Sequence, residues 1–177
     1  MLNKKVEFAG AFSFELDVHE DERGLFVKTY NTALFEQAGI DVHWKEQYIS
    51  TSKPGVLRGM HFQNPPHDHK KMVLCIGGEV TDVVVDLRRD STHYGQHRTF
   101  TLKPWQGVYI PSGFAHGFCV AGPEVATLLY STSTIYNAGH DTGVRWDSLD
   151  IDWPLEDPLL SERDKGFVSF ANFQSPF

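Results

Sequence analysis

Two stretches of this chain carry residue types suited to acid–base chemistry. The first, Gly55-Val56-Leu57-Arg58-Gly59-Met60-His61-Phe62-Gln63, sets Arg58 and His61 three residues apart in an apolar run. On a regular strand an odd separation sends side chains to opposite faces, so the two share a face only where a bulge intervenes, and Gly59 permits one. A permanent charge beside a titratable ring on one face suits a ligand site. Without the bulge, the stretch is a strand with one exposed arginine and one hydrogen-bonded histidine. The second stretch, Ile110-Pro111-Ser112-Gly113-Phe114-Ala115-His116-Gly117-Phe118, brings another histidine into another apolar run.

Two chemistries compete for these residues. In the first, three of the nine histidines bind a metal. His67 and His69 form an H-x-H pair, His116 supplies a third ligand, and the set suits Zn²⁺ or Fe²⁺. The pair and the Pro111-x-Gly113-x-x-His116 segment resemble the two motifs of metal-binding cupins. Those proteins place a glutamate four or five residues after the pair, where this chain has Val73 and Leu74; Glu79 comes later. Residues 64–69, with two prolines, read as a loop rather than a strand. The second chemistry is metal-free proton transfer at carbon, which needs a base, an oxyanion stabiliser and an acid on the opposite face. His61, Lys71 and the tyrosines at 130 and 136 offer these roles. Lys71 opens the run Met72-Val73-Leu74-Cys75-Ile76, where an ammonium is desolvated and costly unless paired or used. Tyr130 and Tyr136 share a face if their strand is regular.

The elements that must position these residues are short. Apolar or alternating runs recur at 12–18, 24–30, 47–52, 56–62, 71–76, 79–87, 98–102, 107–110, 114–120 and 125–131, many separated by Gly, Pro, Asn or Asp. This rhythm predicts an antiparallel sandwich or barrel. Residues 79–87, rich in valine, form the strongest strand candidate. A short helix is expected at 32–38, with Thr32 as cap and Gly39 as terminator, and another within 160–165. With no repeat or linker, residues 1–177 read as one all-β domain. A formal charge of -7 argues against nucleic acid or an anionic membrane as partner. Cys75 and Cys119 lie in apolar runs and are expected as buried reduced thiols. The first residues lack the apolar core of a signal peptide, and no run approaches the ~20 apolar residues of a membrane span. A cytoplasmic location is the expectation.

Taken in order from about residue 14 to residue 165, several motifs stand together. They are Arg23-Gly24-Leu25-Phe26, the stretch from Gly55 to Gln63, Lys71-Met72-Val73, and Gly78-Glu79-Val80-x-Asp82-Val83-x-Val85-Asp86-Leu87-Arg88. Ile110-Pro111-x-Gly113-Phe114-Ala115-His116-Gly117-Phe118, Tyr130-x5-Tyr136-Asn137 and Leu160-Ser161-Glu162-Arg163-Asp164 complete the set. Together these motifs resemble the dTDP-4-dehydrorhamnose 3,5-epimerase family, and the resemblance implies a cupin-type double-stranded β-helix, or jelly roll, working as a homodimer without metal or other cofactor. Its implied substrate is a nucleotide-linked 4-keto-6-deoxyhexose, inverted at C3, C5 or both. Carried over by position, His61 is the base, Asp164 its dyad partner, Lys71 the enolate stabiliser and Tyr130 the returning acid. Arg58 and His116 line the sugar and diphosphate region, Arg23 and Arg163 contact phosphate, and Tyr136 stacks near the base. Gln47, Gln63 and Asp141 are further expected substrate contacts.

Departures from the family pattern fall on the nucleotide side. Lys28 stands where the family has a thymidine-contacting glutamate, the Gln-Asp-Asn segment reads Glu46-Gln47-Tyr48, and the glutamate beyond the second tyrosine is Asp141. His69 replaces a residue that is commonly glutamine. A carboxylate accepts from thymine N3–H, whereas a lysine only donates, so Lys28 suits a CDP-linked sugar as an alternative to a dTDP-linked one. A nucleotide-sugar-binding jelly roll that has lost activity is a further alternative, against which the retention of His61, Lys71, Tyr130 and Asp164 speaks.

Overall fold

The protein is described from a computed structural model covering residues 2–40 and 43–177. In chain order its first strands are β1 (Leu2–Phe8), β2 (Ala11–Leu16), β3 (Val18–Asp21), β4 (Gly24–Val27), β5 (Glu46–Ser52), β6 (Leu57–Gln63) and β7 (Lys71–Gly77). They are followed by β8 (Val80–Asp86), β9 (His97–Leu102), β10 (Gln106–Ile110), β11 (Phe114–Cys119), β12 (Ala126–Thr132) and β13 (Asp141–Gly143). One sheet runs β1-β2-β10-β7-β12-β5, a second runs β13-β6-β11-β8-β9, and β3-β4 stand apart as a hairpin. The pairing within each sheet is antiparallel, and the chain is a cupin-like jelly roll, as expected. The ten apolar runs each supply a strand. Three strands went unanticipated: β1, β3 and β13 are polar, and β1 and β13 lie at sheet edges, where alternation with a buried face is lost.

Helix α1 (Thr32–Gln37) forms where a helix was expected, but its cap is Asn31 rather than Thr32. The Asn31 side-chain oxygen accepts from the Leu34 N–H at 3.2 Å, the reach of an N-cap to the third helical residue. Gly39, at φ +79°, ends it in the left-handed region. Helix α2 (Glu162–Lys165) is capped by Ser161, whose hydroxyl accepts from the Asp164 N–H at 3.1 Å. Among the described residues no helix is long and apolar enough to cross a membrane.

Period-two alternation explains the layers. Val73 and Cys75 of β7, Ala126 and Leu128 of β12, Val80 and Val84 of β8, and Phe114 and Phe118 of β11 pack between the sheets. The alternate residues face outward. Met72 and Leu74 meet Phe35 and Ile40 on one side, and Met60, Phe62, Val83 and Val85 on the other meet the C-terminal tail through Leu149, Phe170 and Phe173. Both cysteines are free and buried. Alternation also turns Lys71, Asp82, His116 and Tyr130 inward, in phase with the core residues of their strands.

One irregularity matters for function. Against β11, His61 pairs with His116 and Arg58 with Phe118, so three steps along β6 match two along β11. The extra residue is the bulge that Gly59 was expected to permit. Gly59 adopts φ +149°, and a Cβ there would lie 2.7 Å from the Gly117 backbone. Both backbone conformation and space therefore demand glycine. Gly59→Ala should cost about 2–4 kcal/mol and lower Tm by roughly 5–15 °C. Gly122, with open space around it, is the control, and Gly122→Ala should stay within about 0.5 kcal/mol. Calorimetry on both variants checks this; equal melting temperatures would remove the steric account of the bulge.

Candidate active site

A cleft of about 360 Å³ opens between the inner faces of β5, β7 and β12 on one side and β6 and β11 on the other. Residues of the 134–136 connection, β13 and α2 complete its rim. His61, Lys71 and Tyr130 line it together with Arg58, Gln63, His116, Tyr136, Asp141 and Arg163. Asp164 sits directly behind His61. The bulge puts Arg58 on the same face as His61, where a regular strand would have turned it toward Met60 and Phe62.

His61 is held from three sides. Its Nε2 lies 2.8 Å from Asp164 Oδ1, and the edge of Phe167 packs against the ring with centroids 5.7 Å apart. Gly143 is its direct partner on β13, and a Cβ there would strike Met60 O and Phe167. Burial alone would push the Asp164 carboxyl up. Its hydrogen bonds to His61 and to the Gly59 N–H, at 3.2 Å, hold it below the ordinary carboxylate value instead. An ionised Asp164 fixes the proton on Nε2 and leaves the lone pair on Nδ1, the arrangement of a general base.

Lys71 is 7% exposed, and burial lowers its ammonium to about 8 against the pull of Asp141 and Asp82. The expected desolvation of this lysine is therefore present. Burial pushes the Tyr130 hydroxyl well up, so it keeps its proton across the neutral range. A second histidine–carboxylate pair lies beside the first, on the neighbouring strand of the same sheet: His116 Nε2 is 2.8 Å from Asp82 Oδ2, both groups being buried. Burial outweighs Asp82 and lowers His116, leaving it neutral. His69 also lines the cleft and is pushed down to about 3 by burial and by Lys71 and His116.

Several expected contacts are placed differently. Gln47 is exposed and donates to the Ser131 hydroxyl at 3.2 Å. It alternates with Glu46, Tyr48 and Ser50, which face the cleft, so the period of β5 turns it away. Arg23 and Lys28 belong to the β3–β4 region outside the cleft, and Arg23 pairs with Asp21 at 2.5 Å. Gln63 lines the cleft with its amide already engaged: it donates to His67 O at 2.8 Å, and its oxygen accepts from the Asn137 N–H at 2.6 Å. It staples loops rather than offering a free donor. Asp141 and Arg163 pair at 2.6 Å. Tyr136 lies beyond β12, which ends at Thr132, so the shared-strand expectation for the two tyrosines fails, though both reach the cleft. Glu46, Tyr48, Ser50, Thr132, Thr134 and Asp82 were not anticipated as site residues. For β5, the alternation of Glu46, Tyr48 and Ser50 was the available signal.

The three histidines of the metal alternative do not converge. Residues 64–69 form a loop, as expected. His67 lies outside the cleft, its ring 4.3 Å from that of His140 and its Nε2 accepting from Asn137 Nδ2 at 3.2 Å. Gln63 meets His69 Nδ1, and Asp82 occupies His116 Nε2. Among the described residues no group of three or more His, Cys, Asp or Glu is placed to hold a metal ion.

Comparison with known proteins agrees with this geometry. The family model for dTDP-4-dehydrorhamnose 3,5-epimerase matches residues 5–172. A dTDP-4-dehydrorhamnose 3,5-epimerase of Shigella flexneri is 39% identical over 173 residues, 95% of each chain. A dTDP-4-dehydrorhamnose 3-epimerase of Streptomyces niveus is 38% identical over 167 residues, 92% of this chain and 80% of that one. The structure of a dTDP-6-deoxy-D-glucose-3,5-epimerase from Legionella pneumophila Philadelphia 1, in complex with dTDP-4-keto-L-rhamnose, has a TM-score of 0.92 at 30% identity. That match covers 98% of this chain and 95% of the Legionella chain. With a jelly roll whose cleft carries the His61–Asp164 dyad, and with relatives matched over nearly its whole length, this chain is an isomerase that belongs to the dTDP-4-dehydrorhamnose 3,5-epimerase family.

Proposed function

We propose that this enzyme inverts C3, or C3 and C5, of a dTDP-linked 4-keto-6-deoxyhexose by moving protons between His61 and Tyr130 through an enolate. The observation that carries the reading is placement: the base lies on β6 and the acid on β12, strands of facing sheets that border one cleft. A flat enolate lying between them meets a proton carrier on each face. The C4 ketone acidifies its neighbouring carbons; His61 Nδ1 removes a proton, and charge develops on the C4 oxygen. The Lys71 ammonium stabilises that oxygen in a water-poor site, where a fixed opposite charge lowers the barrier more than it could in water. Tyr130 then delivers its own proton to the opposite face of the carbon and is left as phenolate, which solvent reprotonates once product leaves. Arg58 and Arg163 supply positive charge for the diphosphate. The Glu46 carboxylate accepts from the Tyr136 N–H at 2.6 Å and lines the cleft beside that residue. It provides an acceptor for thymine N3–H, and Lys28, the feature favouring cytosine, lies outside this chain's own cleft, directly after the hairpin that carries Arg23. Free buried thiols and a nucleotide-sugar substrate suit the cytoplasm.

Isotope exchange tests the chemistry. In D₂O without added metal, dTDP-4-keto-6-deoxyglucose should take up deuterium faster than its CDP analogue, at C3 and C5 for a double epimerase and at C3 alone for a single one. His61→Ala should lower uptake by about 10²–10⁴-fold, while Tyr130→Phe should still wash protons out yet invert poorly. Normal inversion by Tyr130→Phe would remove its role as acid, and faster CDP turnover would restore the Lys28 reading.

Lys71 sets the alkaline limb. Because its folded value is lowered to about 8, the ammonium is complete below that pH and lost above it, so kcat should fall as pH rises through about 8. Lys71→Met should lose about 10²–10³-fold in kcat and flatten that limb. An unchanged limb in the variant would assign the titration elsewhere.

The β3–β4 hairpin exposes Val18, Leu25 and Phe26, the last 63% exposed, as a neighbouring group of large apolar side chains. A homodimer covers such a patch and gives the exposed Arg23 a second copy's cleft as a route to a phosphate. Light scattering should give twice the chain mass, and Leu25→Asp with Phe26→Asp should give monomers. A monomeric native protein would exclude the dimer.

A further inference from the structure

A tyrosine acid must be aimed as well as protonated, and the aim of Tyr130 is set from β5. Strands β5 and β12 pair with Tyr48 directly opposite Tyr130. The two rings stack with centroids 4.7 Å apart and planes 11° from parallel. Two residues along the same face of β5, Ser50 Oγ lies 3.2 Å from the Tyr130 hydroxyl. The His116 ring packs edge-on to Tyr130 at 6.4 Å. Tyr130 is 5% exposed beneath this cover, while Tyr48 is 41% exposed at the cleft wall.

We infer that Tyr48 is a positioning residue for the acid: its ring holds the Tyr130 ring flat against β5, and Ser50 fixes where the hydroxyl points. The inference rests on the epimerase reading above. A phenol has two side-chain torsions to settle before its hydroxyl can face a carbon between the sheets. Stacking on one face and a hydrogen bond at the tip settle both before the substrate arrives, which is preorganisation of the proton donor. The consequence is kinetic and specific. Once His61 has made the enolate, two protonations compete. Return from the His61 face regenerates the starting configuration, with solvent hydrogen exchanged in. Delivery from Tyr130 inverts the carbon. A loosened Tyr130 slows only the second, so Tyr48 governs the ratio of washout to inversion rather than the rate of proton removal.

The test is that ratio, measured by NMR and mass spectrometry for dTDP-4-keto-6-deoxyglucose in D₂O, as deuterium in recovered substrate against deuterium in inverted product. Tyr48→Thr keeps a strand-forming residue but removes the ring. It should raise the ratio on the order of tenfold, with total uptake changing less than about threefold, because proton removal by His61 is untouched. Tyr48→Phe keeps the stack and should restore the ratio to within about twofold of the native enzyme. Ser50→Ala, which removes one hydroxyl and no packing, should move the ratio in the same direction and keeps the proposal testable if Tyr48→Thr does not fold. An unchanged ratio in the folded variants, or uptake and inversion falling in proportion, would overturn the assignment while leaving the epimerase reading intact. No uptake by the native protein would overturn both.

Discussion

Much of this structure depends on one carboxylate. Asp164 sends one oxygen to His61 Nε2 and the other to the Gly59 N–H. The first contact orients the base, and the second holds the backbone of the bulge that puts Arg58 and His61 on a single face. A buried carboxylate with two such donors resists its own desolvation only if both stay in place, since charge-assisted hydrogen bonds contribute about 1.5–3 kcal/mol each. The C-terminal tail explains how they stay. Its rings cover the outer face of β6, β8 and β11 through Phe170, Phe173 and Phe177, and α2 is the turn that ends up behind His61. Glycine at 59, 117 and 143 gives the space for β6, β11 and β13 to close around that turn.

The second constraint is that the cleft lies between two inner faces. A histidine and a tyrosine on facing sheets address opposite sides of anything flat held between them, and no movement of either is needed for inversion. Burial then does electrostatic work. It lowers Lys71 toward neutrality, and in the proposed mechanism a developing oxyanion relieves the desolvated ammonium. The same burial raises Tyr130, so that as the proposed acid it stays loaded until a carbanion takes the proton.

How far the sequence reveals this varies with the physics involved. Runs such as residues 79–87 and 114–120 read as strands because both of their faces are buried, which leaves short, nearly continuous apolar stretches, so an antiparallel sandwich or barrel was legible and the jelly roll came from the resemblance. Polar edge strands β1 and β13 were not, since β1 is exposed along almost its whole length and β13 is too short to show a period. Asn31 and Thr32 are both competent caps, and only the entry direction of the chain distinguishes them. In the site, Gly59 announced the bulge and Lys71 its desolvation from local context. The roles of His61, Asp164 and Tyr130 came from family resemblance, because residues about 100 positions apart meet only through the fold. Gln47 was misplaced for want of a strand register: counting in steps of two from Tyr48 would have turned it away from the cleft. The pairing of Tyr48 with Tyr130 gave no signal, since the partner lies 82 residues away and is found only by pairing β5 with β12.

Asp82 illustrates the limit most sharply. Within Val80-Thr81-Asp82-Val83-Val84 an aspartate resembles a break in a strand, yet it is fully buried, and its Oδ1 has no hydrogen-bond partner among the described residues. An isolated carboxylate in that position would be expelled or protonated. Its survival follows from its neighbours: His116 takes the other oxygen, and Lys71 supplies the compensating charge nearby. The exchange runs both ways, because Asp82 is one of the two carboxylates that oppose the loss of the Lys71 proton. Removing the aspartate would lower Lys71 further and free His116 to rotate, so the enolate would lose its cation and the cleft its rigid wall together. The buried charge is costly to the fold, and in the proposed mechanism that cost supports the cation that meets the oxyanion.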